Sequence, residues 1–114
     1  MQGESDSIEK KRAKKYYQNT EKMVEYLRGD LKDYYTTDFC FVDAGIAEID
    51  AWKYHDVVND AKRDYAEKHE RSIYFSTQDL GLTTLNEPEG SPDIAHYDSL
   101  SAWELGKKFA EYIE

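Results

Sequence analysis

Asp93 and His96 stand three positions apart in the run Asp93-Ile94-Ala95-His96, a spacing that lets a carboxylate turn back onto an imidazole. An aspartate so placed can accept a hydrogen bond from the ring's Nδ1–H. That fixes the tautomer and leaves Nε2 free to act as a base toward a nucleophile. The spacing alone is common on loops, so its meaning depends on its surroundings. Other polar residues say less. His55 and His69 flank a predicted helix, and His69 suits the negative end of the helix dipole. A zinc site built from His55, His69 and His96 would need three distant segments to converge without any ligand spacing, so no metal is expected. Ser5, Ser99 and Ser101 read as turn or helix-cap residues. Trp52 and Trp103 read as core or subunit-interface packing before sugar stacking.

The elements that must position the Asp93–His96 pair follow from hydrophobic period. One helix is expected from Ser7 to Tyr34, with Tyr16, Thr20, Met23, Val24, Leu27, Leu31 and Tyr34 on one stripe and Ser7 or Asp6 as its cap. The nearly continuous apolar run Phe39–Ala44 suits a strand covered on both faces, with Cys40 as a buried thiol. A second helix spans Lys53–His69 on the stripe Tyr54, Val57, Val58, Ala61 and Tyr65, with charged residues opposite. A second strand covers Ser72–Thr77, followed by a long loop from Gln78 to Tyr97 that holds both prolines. A last helix starts at Ser99 or Ser101, where Ser101 and Glu104 fit a capping box, and buries Leu105, Phe109, Ala110 and Ile113. Strands alternating with helices point to an α/β fold with parallel strands. Two strands are few for three helices, which suggests a missing portion or an oligomer that completes the sheet.

Composition sets the outer limits. The 114 residues fit one domain or part of a larger one. Only 39% are apolar and 34% are charged, but ten tyrosines and four phenylalanines supply a largely aromatic core. A net charge of -9 argues against a nucleic-acid partner. The basic run Lys10–Lys15 reads as a solvated helix face. Cys40 is the only cysteine, so no intramolecular disulfide can form. With no long apolar run and no leader in these residues, the chain is expected to be soluble and, as it stands, cytoplasmic, without membrane contact.

Four blocks together carry a resemblance. Asp93-Ile94-Ala95-His96-Tyr97-Asp98 leads into Glu104-Leu105-Gly106-Lys107-Lys108-Phe109-Ala110. Gln2-Gly3-Glu4-Ser5-Asp6 opens the chain, Val58-Asn59-Asp60-Ala61-Lys62 lies on the second helix, and Ser76-Thr77-Gln78-Asp79-Leu80 follows the second strand. In this order, and across nearly the whole chain, they resemble the SGNH hydrolases of the sialate O-acetylesterase and acetylxylan esterase group. The resemblance implies a flavodoxin-like α/β fold reduced here to its carboxy-terminal half, with three helices and two parallel strands in a single partial domain. It implies hydrolysis of O-acetyl esters on carbohydrate through an acetyl-serine, without metal or organic cofactor. His96 would be the general base and then acid, and Asp93 would orient it. Gln2, Gly3 and Glu4 would line the oxyanion region at the carboxyl end of a strand.

The departure from the family pattern is at the front. The family's nucleophilic serine lies in a block near the amino end of the domain, and these residues begin at the later Gln-Gly-Glu block. The expectation is therefore a chain inactive alone and competent with a complementing amino-terminal half. The alternative is a non-catalytic remnant that forms a homodimer or binds a partner along its free strand edge.

Overall fold

The computed structural model describes residues 1–37 and 39–113. Where one helix from Ser7 to Tyr34 is expected, the chain forms a 3₁₀ turn at Asp6–Ile8, a short helix α1 (Lys10–Ala13) and a longer helix α2 (Tyr16–Leu31). The chain thus has four helices among the described residues, not three. The break has a local cause. Ala13 and Tyr16 are both buried, and the Tyr16 hydroxyl is shared between the Gln2 carbonyl at 3.2 Å and Asp43 Oδ2 at 3.4 Å. Turning both residues inward moves the intervening Lys14 and Lys15 off the regular ladder, with Lys15 at φ -90° and ψ -8°. Neither Ser7 nor Asp6 caps a helix; Ser7 instead donates to the Glu4 carbonyl at 2.6 Å. Of the basic run, all but Ala13 face solvent, as expected.

Beyond the break, α2 buries Tyr16, Thr20 and Val24, while Met23, Leu27, Leu31 and Tyr34 stay exposed. The amphipathic stripe is longer than the surface available to cover it.

Strands β1 (Phe41–Ala44) and β2 (Ser72–Phe75) pair in parallel, from Phe41 with Ser72 to Ala44 with Phe75. Both are shorter than expected. β1 starts where the Phe41 N–H reaches the Arg71 carbonyl at 2.8 Å, and Cys40 outside it is only half-buried. β2 stops at Phe75 because Thr77 turns aside to donate to the Gly45 carbonyl at 3.0 Å. A parallel pair needs a crossover, and helix α3 (His55–Lys68) provides it.

The buried face of α3 carries Val58, Asn59, Lys62 and Tyr65, so one of the charged residues expected outside lies in the core. Lys62 is 2% exposed; its ammonium donates to Asp43 Oδ1 at 2.8 Å and to the Ala44 carbonyl at 2.7 Å. Burial pulls the lysine below its ordinary pKa, and the adjacent Asp43 opposes that shift. Asn59 clamps the chain leaving β1. Its side-chain oxygen accepts from the Ile46 N–H at 2.8 Å and its amide donates to the Ile46 carbonyl at 3.0 Å.

Helix α4 (Ser99–Ala110) is capped by Asp98, whose side chain accepts from the Ser101 N–H at 2.9 Å, so the expected Ser101–Glu104 box does not form. Glu104 pairs with Lys107 instead, and the Ser101 hydroxyl accepts from the Thr83 N–H at 2.8 Å. Leu105 is buried and Phe109 partly so, whereas Ala110 and Ile113 are exposed and Tyr112 takes the expected place of Ile113 by stacking on Phe75. Hydrogen bonds to Ser101 and Asn86 hold the Asp98 carboxyl below the usual range. Asp98→Ala should therefore loosen both the helix start and the preceding loop. We expect the midpoint of thermal unfolding to drop by about 4–8 °C, read by circular dichroism. No described helix is long and apolar enough to cross a membrane.

Candidate active site

The carboxyl ends of β1 and β2 open into two loops, and the pair lies on the second of them. The loop is tied down at several points. The Asp98 N–H donates to the Thr83 carbonyl at 3.0 Å, and the Asn86 amide donates to Asp98 Oδ2 at 2.9 Å. Glu87 accepts from the Ser99 N–H at 2.9 Å and from its hydroxyl at 2.6 Å, while the Glu87 carbonyl accepts from the Asp93 N–H at 2.9 Å. These bonds staple the loop to the start of α4.

Within that frame Asp93 makes a tight Asx turn. Its Oδ1 accepts from the Ala95 N–H at 2.9 Å and the His96 N–H at 3.2 Å. Its Oδ2 lies 2.7 Å from His96 Nδ1. An ionised carboxylate only accepts, so Nδ1 carries the proton and Nε2 presents a lone pair. Nε2 has no hydrogen-bond partner among the described residues, and the ring is 73% exposed. Buried Trp52 meets the ring edge-on at 6.2 Å between centroids.

The hydrogen bond to His96 comes first among the causes that hold the Asp93 carboxyl below the usual carboxylate range, followed by the Ala95 amide. The stabilising contribution is complete above the aspartate pKa of the unfolded chain and is lost as pH falls through the lower, folded value. A carboxyl-carbon NMR titration should place the Asp93 midpoint below the ordinary aspartate range, and His96→Ala should move it back up.

Tyr97 anchors the next position to the sheet. Its hydroxyl donates to Thr77 Oγ1 at 3.3 Å, and Thr77 in turn donates to the Gly45 carbonyl at 3.0 Å. Burial raises the Tyr97 phenol, and the charge of Glu4 adds to the effect. Between the two loops lies a cavity of about 250 Å³, lined by Ala47, Glu48 and Ile49 on one side and by Thr77, Gln78, Tyr97 and residues 82–85 on the other.

The amino-terminal turn packs against the same core. Gln2 is exposed, Glu4 partly covered and Gly3 buried at φ +122°, a conformation open to glycine. A Cβ on Gly3 would stand 2.7 Å from Val58 Cγ1 and 3.1 Å from the Tyr16 ring. Tyr16 and Val58 belong to one cluster with Ile46 and Trp52, against which Ala95 and Tyr97 also pack. Gln2, Gly3 and Glu4 therefore share a foundation with Asp93 and His96, but no hydrogen bond joins the two groups among the described residues.

The remaining candidates separate cleanly. His69 caps the carboxyl end of α3, as expected, but is half-buried there; it stacks on Tyr65 at 4.0 Å, bonds the Tyr65 carbonyl through Nδ1 and lies 3.2 Å from Glu21 through Nε2. Trp52 is core, and Trp103 is 67% exposed on the outer side of α4. Sequence reasoning missed Asp43, Asn59, Lys62 and Thr77 as supports of the site. A lysine and an asparagine on the apolar side of α3 were the available signal.

A family model described as carbohydrate esterase, sialic acid-specific acetylesterase, matches residues 1–114. No curated protein and no solved structure matches the chain.

Proposed function

The chain belongs to the sialic acid-specific acetylesterase family of carbohydrate esterases, and from that premise we propose that it supplies His96 and Asp93 as the base and orienting carboxylate of an O-acetyl ester hydrolysis. The observation that carries this reading is the 2.7 Å contact between Asp93 Oδ2 and His96 Nδ1, which leaves Nε2 unpartnered on an open rim. In the cycle, Nε2 takes the proton of a serine hydroxyl as its oxygen attacks the acetyl carbonyl. The bond to the sugar oxygen breaks, and His96 returns the proton to that oxygen. Water, deprotonated by the same nitrogen, then releases acetate from the acetyl-serine. Gln2, Gly3 and Glu4 are read as lining the oxyanion side.

The nucleophile in this proposal comes from a segment outside these residues. Of the serines that follow the dyad, Ser99 is held by Glu87, and the Ser101 hydroxyl accepts from the Thr83 N–H. The parallel pair and its crossover are read as the carboxy-terminal half of a flavodoxin-like SGNH domain, an assignment supported by the dyad loop lying beyond the carboxyl end of β2. Acetate release from a small acetyl ester tests it. The isolated chain should turn over no faster than its His96→Ala variant. Turnover that His96→Ala abolishes would contradict an external nucleophile and put exposed Ser5 in that role.

A second reading, a remnant that pairs with a second copy, draws on a different observation. Between β1 and the end of α4 lies an apolar groove of about 530 Å³, lined by Phe39, Cys40, Phe41, Val42, Phe109, Tyr112 and Ile113. Light scattering discriminates: a folded chain that stays monomeric at high concentration speaks against self-pairing.

A further inference from the structure

We infer that Glu87 is a positioning residue for the Asp93–His96 pair: it grips the dyad segment on both sides and so sets where the imidazole stands. The inference rests on the esterase reading and adds to it a residue that acts through Asp93 without touching substrate. The Glu87 carboxylate accepts from the Ser99 N–H at 2.9 Å and from the Ser99 hydroxyl at 2.6 Å. Ser99 opens α4, so the carboxylate also meets the positive end of that helix dipole. The Glu87 carbonyl accepts from the Asp93 N–H at 2.9 Å. Residues 93 and 99 bracket His96, and one side chain with its own backbone holds both.

Asp93 has little else to hold it. Residues 88–92 are exposed and belong to neither helix nor strand. Its other hydrogen bonds stay within its own turn, to Ala95 and His96. Among the described residues the Glu87 carbonyl is thus the one hydrogen-bond link from Asp93 to the rest of the loop, and the Glu87 carboxylate carries that link on to α4. Three contacts run from helix to base: Ser99 to Glu87, Glu87 to Asp93, and Asp93 to His96. Glu87 is also charged, and its two effects on Asp93 have opposite signs. Acting through charge alone, it would raise the Asp93 midpoint by repulsion, and removing it would lower that midpoint. Acting as a grip, it favours the Asp93–His96 bond, and removing it raises the midpoint.

The test is the carboxyl-carbon NMR titration of Asp93 in the intact chain. Glu87→Ala, at an exposed position, should move the midpoint up, in the direction of His96→Ala but by less. Ser99→Ala removes only the hydroxyl contact and should give a smaller rise of the same sign. Glu87→Gln keeps an acceptor for Ser99 without the charge, and its midpoint should be no higher than the parent's. In a protein that also holds the nucleophilic serine, Glu87→Ala should lower kcat about tenfold with KM little changed, while Glu87→Gln keeps most of the rate. An Asp93 midpoint that stays put or falls in Glu87→Ala would overturn the inference, as would a glutamine variant that behaves like the alanine. The esterase reading fails separately: hydrolysis indifferent to His96 would sink it while leaving these midpoint shifts in place.

Discussion

Replacing Lys62 by methionine should destabilise the fold by about 3–5 kcal/mol, a large part of the stability of a domain this size. The substitution keeps the apolar stem and removes the ammonium that bonds Asp43 Oδ1 at 2.8 Å and the Ala44 carbonyl at 2.7 Å. Asp43 would then be a buried carboxylate left with the Tyr16 hydroxyl at 3.4 Å. The loss should be cooperative with the site, because the same tyrosine holds the Gln2 carbonyl and packs against Gly3. Urea unfolding gives the number. A double replacement, Lys62→Met with Asp43→Leu, should recover most of the stability, since removing both charges also removes the cost of burying them. If the single variant unfolds within about 1 kcal/mol of the parent, the pair does not organise the core.

The second large effect is on activity. On the proposed reading, in a protein that also holds the nucleophilic serine, His96→Ala should lower acetate release about 10⁴-fold or more, because proton transfer to and from the nucleophile is lost. Asp93→Asn should cost less, roughly 10²–10⁴-fold. It leaves the backbone turn largely in place while allowing the wrong tautomer. Variants that lose binding and turnover in the same proportion would point to a collapsed loop. Retained binding with lost turnover would point to the proton transfer itself.

What the sequence made legible is what local pattern encodes. The alternation of helix and strand, the parallel pairing and the Asp-x-x-His turn all depend on period and short-range geometry, and each has its counterpart in the fold. Contacts between distant segments were not readable this way. The break before Tyr16 depends on Gln2 and Asp43, neither of which is its neighbour in sequence. Lys62 looked like a solvated lysine because nothing local shows that Asp43 will lie beneath it. Serine at 99 or 101 fits a cap by type, but Asp98, one residue before the helix, is the acceptor that takes the place. The cavity is formed by two loops that meet only because β1 and β2 pair.

The imidazole nitrogen NMR spectrum of His96 tests the catalytic assignment at its root. At neutral pH the neutral ring should show Nδ1 protonated and Nε2 bare, and Asp93→Asn should weaken that preference. A ring protonated at Nε2 in the parent chain would leave no base facing the nucleophile and would contradict the assignment.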